Sequence, residues 1–200
     1  MRTILVTGFE PFGGETVNAS WEAARALDGW RSGDLVANAR MLPCVYDACV
    51  AEFAEAFARL KPHAVLLTGQ AARRPVVSVE RFAHNRASAT HADNRGAVRG
   101  GAGDRKTVRF ESTAPVAKIV RAIHAAGIPA RVSIDAGDYV CNHLYYGALK
   151  RLGAASPQTS AVFLHLPATP EQTPLHANPR RLATTDAVRA LKVAASALIV

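Results

Sequence analysis

The sequence lacks any CxxC pair, and its cysteines number only three, Cys44, Cys49 and Cys141. An odd count without a CxxC pair argues against a disulfide framework and a thiolate zinc site, and it suits a reducing compartment such as the cytoplasm. No stretch approaches the roughly 18 uninterrupted apolar residues of a membrane span, so no membrane partner is expected. Basic runs interleaved with aromatics are missing too. The formal charge is +8, yet the arginines are scattered, which argues against nucleic acid as a partner. No internal repeat and no linker divide the chain. The opening MRTILVTGFEPFGG carries an apolar run too short for a signal-peptide core and predicts a first strand instead.

What is present is a chain of 200 residues, 49% of them hydrophobic, enough to build a substantial core in one domain over residues 1–200. Apolar runs at Thr3–Thr7, Leu35–Leu42, His63–Thr68, Val76–Phe82, Arg131–Ile134 and Ala161–Leu166 predict buried strands. Helical patterns lie between most of them. Val45, Cys49, Phe53 and Phe57 form one stripe of a helix ending near Leu60, ahead of Pro62. A second helix starts at Thr113 and Pro115 and stops at Gly127, and a third covers Thr184–Ile199. Strands alternating with helices predict an α/β fold, a single-domain three-layer α/β/α sandwich around a mixed, largely parallel sheet. Such sheets carry their sites at the carboxyl ends of strands. From Asn85 to Lys106 no apolar period is sustained, and a loop of that length in a compact domain tends to be functional or mobile.

Cys141 lies in SIDAGDYVCNHLYYGAL, where a strand passes through an Asp-Ala-Gly turn into a pattern that becomes helical at about Asn142. Unpaired N–H groups at a helix N-terminus favour thiolate over thiol and can hold an oxyanion. The residue reads equally as a buried structural cysteine. His165, within AVFLHLP, and Glu80, which closes VVSVE, each need a polar partner in apolar surroundings, and each alone reads as a satisfied core residue. Together, a Cys, a His and an acid at strand termini along one sheet edge make a plausible nucleophile, base and orienter. The loop GFEPFGG lacks the GxGxxG spacing and the GK[ST] ending of phosphate-binding loops. Its two phenylalanines suggest the wall of an apolar pocket, or a tight turn that caps the core.

GFEPFGG followed by Asn18, then VSVERFAHN, AGDYVCNHLYYG and FLHLPATPEQ, together resemble, in this order, the pyrrolidone-carboxylate peptidases, also called pyroglutamyl-peptidase I. The resemblance covers nearly the whole chain. It implies Cys141 as nucleophile, His165 as general base and Glu80 as the acid that orients the histidine. It further implies a pocket for the pyroglutamyl ring formed by Phe9 and Phe12, with the backbone near Gln70 and the Tyr139–Val140 segment close by. The implied activity is removal of N-terminal pyroglutamate from peptides through a thioester, with no metal and no cofactor. Family members commonly assemble as dimers or tetramers, so a homo-oligomer is expected. One departure stands out: the family's Arg-Ile-Pro-Asp-Asn stretch reads Thr90-His91-Ala92-Asp93-Asn94 here. Thr90 thus replaces an arginine expected near the active site, and Arg86 or Arg95 is a candidate substitute. Two rival readings are another thiol-dependent amide or ester hydrolase on the same scaffold, and a non-catalytic binding protein whose positive charge recruits an anion.

Overall fold

From its N-terminus the chain runs through β1 (Arg2–Phe9), α1 (Ala19–Arg25), β2 (Arg31–Ser32), β3 (Leu35–Leu42) and α2 (Ala48–Leu60). It continues through β4 (Ala64–Gln70), β5 (Val77–Glu80), β6 (Phe82–His84), β7 (Arg109–Glu111), α3 (Val116–Ala125) and β8 (Ala130–Ser133). It ends with α4 (Val140–Ala155), β9 (Ser160–Leu166) and α5 (Thr184–Ala197). This computed structural model describes residues 1–100, 108–170, 172 and 181–199. Seven strands form one sheet in the order β2-β3-β1-β4-β9-β5-β8, and β6 and β7 form a separate ribbon. The β1/β3, β1/β4, β4/β9 and β5/β8 pairs are parallel, while β2/β3 and β5/β9 are antiparallel. The sheet is mixed and largely parallel, as the alternation of strands and helices predicts.

Side-chain alternation along the central strands splits the core into two layers. Ile4, Val6, Leu66, Val162 and Leu164 pack against Ala23 of α1, Ile119 and Ile123 of α3 and Leu191 of α5. Leu5, Val65, Leu67 and Phe163 face the other way, onto Phe53 of α2 and Leu144 and Tyr145 of α4. Both faces are therefore covered by helices, the three-layer arrangement in which central strands are apolar throughout. Full burial of each such Leu or Phe contributes roughly 1.5–3 kcal/mol. No helix among the described residues is long and apolar enough to cross a membrane.

Some boundaries differ from expectation. The run Val76–Phe82 is not one strand: β5 ends at Glu80, and β6 begins at Phe82 in the other sheet. Arg81 is the corner, its N–H donating to Ser133 O and its carbonyl accepting from Ser112 N. The helix containing Cys49 starts at Ala48, after Asp47 at φ 57°, so Val45 precedes it. Helix α1 was not expected from the apolar pattern; its signal is Asn18, whose side chain caps Ser20 N ahead of good helix formers. Of the long segment Asn85–Lys106, residues 85–100 contain no helix or strand, and 101–106 lie outside the described residues.

Candidate active site

Parity along the strands puts the chemistry on one face. In β9, Ala161 and Phe163 point into the α2/α4 layer, so His165, two residues on, points there too. In β5, Val77 and Val79 belong to the opposite layer, which turns Ser78 and Glu80 toward α4. Because β5 runs antiparallel to β9, Ser78 stands opposite His165 and Glu80 opposite Phe163. Glu80 and His165 are thus diagonal cross-strand neighbours, within reach of long side chains. This corrects the expectation of three strand termini along one edge: Glu80 closes its strand two residues below His165, since β5 is reversed.

The diagonal is closed by a contact. His165 Nδ1 lies 2.8 Å from Glu80 Oε1, and both side chains are buried. A carboxylate only accepts, so Nδ1 carries the proton and Nε2 is left as the basic nitrogen. Burial lowers the His165 pKa below its ordinary value, opposed by the Glu80 hydrogen bond and charge. The ring is therefore neutral at pH 7.

Helix α4 starts at Val140, two residues before the expected start at about Asn142, so Cys141 lies within its first turn. The turn before it is set by Gly137 at φ 84° and by Asp135 Oδ1, which accepts from Gly137 N at 2.9 Å. Asn142, fully buried, accepts from His84 N at 2.9 Å and donates to His84 O at 2.8 Å and Arg86 O at 2.9 Å. That fixes the start of α4 to the β6 ribbon. The sulfur lies over Gly69 of β4, where an added Cβ would stand 2.8 Å from Sγ and 2.8 Å from Phe163 Cζ. Gly69 is the ladder partner of His165, so the sulfur stands over the strand next to the one that carries the histidine.

Burial pushes the Cys141 thiol well above its ordinary value, opposed by the Arg74 charge. Desolvation thus works against the ionisation that the helix N-terminus favours. Cys44 and Cys49 are buried among apolar side chains, and both thiols are also raised by desolvation, Cys44 to about 12.

The expected pocket residues surround this point in different ways. Val140 is fully buried behind Cys141. Tyr139 is half-buried, its hydroxyl donating to Ala92 O at 2.9 Å and its ring lying 6.0 Å from Phe12 and 4.8 Å from His91. Phe9 is only 2% exposed and belongs to the core, whereas Phe12 packs on that core from its margin. The Gln70 side chain turns to the α1 face, where Oε1 accepts from Ala19 N at 2.8 Å and from Gln172 Nε2 at 2.7 Å. Only its backbone is available to the Cys141 face.

The segment after Arg86 is docked against these loops. Asn94 Nδ2 donates to Glu10 Oε1 at 2.7 Å and Pro11 O at 2.9 Å, while Asp93 Oδ2 accepts from Tyr46 N at 3.0 Å. Thr90 itself is exposed. Of the two candidate substitutes for the missing arginine, Arg86 is held by Asp135 and Gly137 O, and Arg95 is exposed. Sequence reasoning passed over Arg74. Its Nη1 lies 2.5 Å from Glu80 Oε1, and Nη2 donates to Asp135 O at 2.8 Å. A basic residue shortly before a strand that ends in a buried acid was the available signal. No cluster of His, Cys, Asp or Glu suited to a metal occurs among the described residues.

This sequence and fold have counterparts among known proteins. A family model described as pyroglutamyl peptidase matches residues 2–200. The chain is similar to the pyrrolidone-carboxylate peptidase of Cupriavidus necator, at 44% identity covering 97% of this chain and 91% of the relative. That of Chromobacterium violaceum is 42% identical over the same shares. Among solved structures, pyroglutamyl peptidase I of Bacillus amyloliquefaciens superimposes with a TM-score of 0.93 at 35% identity, covering 99% of this chain and 97% of that one. A mutant pyrrolidone carboxyl peptidase of Pyrococcus furiosus gives 0.92 at 32% identity, covering 98% of each chain. With a model matched along its length and relatives of this identity, the chain belongs to the pyroglutamyl peptidase family, cysteine peptidases that remove pyroglutamate from the N-terminus of peptides.

Proposed function

We propose that Cys141, His165 and Glu80 carry the family's reaction in this chain, hydrolysis of the bond between an N-terminal pyroglutamyl residue and the rest of a peptide. The observation that supports this most is the buried Glu80–His165 contact at 2.8 Å beside a sulfur lying over Gly69. As Sγ attacks the pyroglutamyl carbonyl, its proton passes to His165 Nε2, and Glu80 stabilises the imidazolium that forms. The carbonyl oxygen gains the negative charge and is held by backbone N–H groups in the first turn of α4, which has no side-chain cap. Collapse breaks the C–N bond, His165 gives its proton to the departing amine, and a thioester remains. Water, deprotonated by the same nitrogen, then releases pyroglutamate and restores the thiol.

Phe12 and Tyr139, on the margin of the core, would cover the ring methylenes, with Phe9 backing them and Val140 closing the floor. The backbone of Gln70 would meet the lactam amide edge. A site that hydrogen-bonds a substrate amide discriminates strongly against analogues lacking it. The free cysteines support a cytoplasmic location, and family habit supports a homo-oligomer, dimer or tetramer.

A fluorogenic pyroglutamyl amide tests the reading. Cleavage is expected for the wild type and none for Cys141→Ser, while the corresponding prolyl amide, without the lactam carbonyl, stays intact. Hydrolysis of other amides or esters with the pyroglutamyl amide untouched would favour a different thiol hydrolase.

A further inference from the structure

The catalytic carboxylate is held from two sides at a single oxygen. Glu80 Oε1 meets His165 Nδ1 at 2.8 Å and Arg74 Nη1 at 2.5 Å. Its other oxygen, Oε2, is buried with no hydrogen-bond partner among the described residues. The orientation of the carboxylate thus depends on the guanidinium as much as on the imidazole it serves. The guanidinium is itself fixed, since Nη1 also lies 3.2 Å from Ser133 Oγ and Nη2 donates to Asp135 O at 2.8 Å. These anchors belong to the end of β8 and the turn that leads into α4 and Cys141. One rigid fork therefore joins the acid on β5 to the segment that delivers the nucleophile, and only 18% of the Arg74 side chain is exposed. A planar guanidinium suits this task better than an ammonium, having several donors in fixed directions.

We infer that Arg74 is a positioning residue for the reaction, clamping Glu80 so that His165 keeps its Nδ1–H tautomer and presents Nε2 to Cys141. The inference rests on the proposed roles of these three residues. It also gives the site a cation of its own, paired with Glu80. Among the described residues, the charged and titratable groups around the imidazole are Glu80 from β5, Arg74 from the turn after β4, Asp135 from the segment after β8, and Cys141 from α4. Arg74 opposes protonation of His165 and favours ionisation of Cys141, so its removal moves both groups in the unproductive direction.

The test compares wild type with Arg74→Met, Arg74→Lys, Glu80→Gln and the Glu80→Gln/Arg74→Met double variant, all assayed well below their melting temperatures. For Arg74→Met, kcat on the pyroglutamyl amide is expected to fall roughly 10- to 100-fold, the scale of a misplaced catalytic group. KM should stay within about twofold, because the lost interaction is not with substrate. The acidic limb of kcat/KM should move to higher pH. Arg74→Lys should recover part of the loss, and in the Glu80→Gln background Arg74→Met should cost little more, since both act through one carboxylate. Cys141 alkylation by iodoacetamide at neutral pH should also slow in Arg74→Met, a reading that needs no peptide substrate. Unchanged kcat, pH profile and alkylation rate in Arg74→Met would overturn the inference, as would full additivity with Glu80→Gln. If Arg74→Met does not fold, a wild-type kcat in Arg74→Lys overturns it. Failure of the wild type to cleave the amide would instead refute the proposed substrate, and alkylation would still judge Arg74.

Discussion

The sulfur of Cys141 occupies the space that a side chain at Gly69 would take. An added Cβ there would stand 2.8 Å from Sγ and 2.8 Å from Phe163 Cζ, closer than nonbonded carbon and sulfur normally approach. Gly69 is fully enclosed in β4 beside His165 of β9, so the strand has little freedom to yield. Gly69→Ala is expected to push the sulfur off its seat and lower kcat by roughly 100-fold, the effect of a misplacement near 1 Å. Far-ultraviolet circular dichroism should show a folded protein. Wild-type turnover in Gly69→Ala would mean that the sulfur reacts from another position.

Glu80→Gln keeps the size of the side chain and removes its charge. The amide could then donate to the ring, stabilising the tautomer with its proton on Nε2, where the base must be free. A loss of roughly 10³- to 10⁴-fold in kcat is expected, as for an orienting carboxylate replaced by its amide. Because the Arg74–Glu80 ion pair would be lost at a site where Glu80 is fully buried, a lower melting temperature should accompany the loss. Kinetics that respond only in KM would contradict the orienting role.

The legible parts of this molecule were those written in local periodicity. Ile4 and Val6 against Leu5, or Val162 and Leu164 against Phe163, alternate because each strand is sandwiched between helical layers, and the runs they form are visible without coordinates. The triad residues stood out as polar groups in apolar company. What the chain did not reveal was pairing: nothing in VVSVE states that β5 lies antiparallel to β9, and that reversal decides how Glu80 reaches His165. Arg74 had only a faint signal, a basic residue shortly before the strand that ends in Glu80, for a related reason. Its significance comes from Glu80, Ser133 and Asp135 converging on it, three contacts that no local pattern records. For the thiol, the helix terminus that favours ionisation is readable from sequence, whereas the depth of burial that opposes it is not.

That depth gives a signed pH dependence. Desolvation raises the Cys141 thiol well above 9.0 and lowers His165 below 6.5, so the productive neutral pair persists across the interval between them. The acidic limb of kcat/KM is expected below pH 6.5, where the ring finally gains a proton. Alkylation of Cys141 by iodoacetamide, which needs thiolate, should keep rising past pH 9 with no plateau near neutrality. Cys44 and Cys49 should label more slowly still, since they are 3% and 0% exposed while Cys141 keeps partial access. Mass spectrometry of the labelled peptides across pH measures all three. A plateau below pH 8 would restore the thiolate reading.

Asn142 offers a prediction in which stability and activity should move together. Its side chain is fully buried and holds three backbone groups, His84 N, His84 O and Arg86 O. Asn142→Ala would strand those groups beside the first turn of α4, and leaving buried donors and acceptors unpaired costs about 2–3 kcal/mol in all. For a chain of this size that corresponds to a melting temperature lower by roughly 5–10 °C. Asn142 adjoins Cys141, and its bonds are what tie the helix start to the β6 ribbon, so the nucleophile should lose its fixed direction as well. A fall in kcat of about tenfold is expected at temperatures where the variant remains folded. Asn142→Asp separates the two effects: a carboxylate can accept from His84 N but cannot donate to the two carbonyls, and it adds a buried negative charge. Its melting temperature should therefore fall at least as far as that of the alanine variant. If Asn142→Asp proves as stable as wild type at neutral pH, the three-bond account of this corner is wrong.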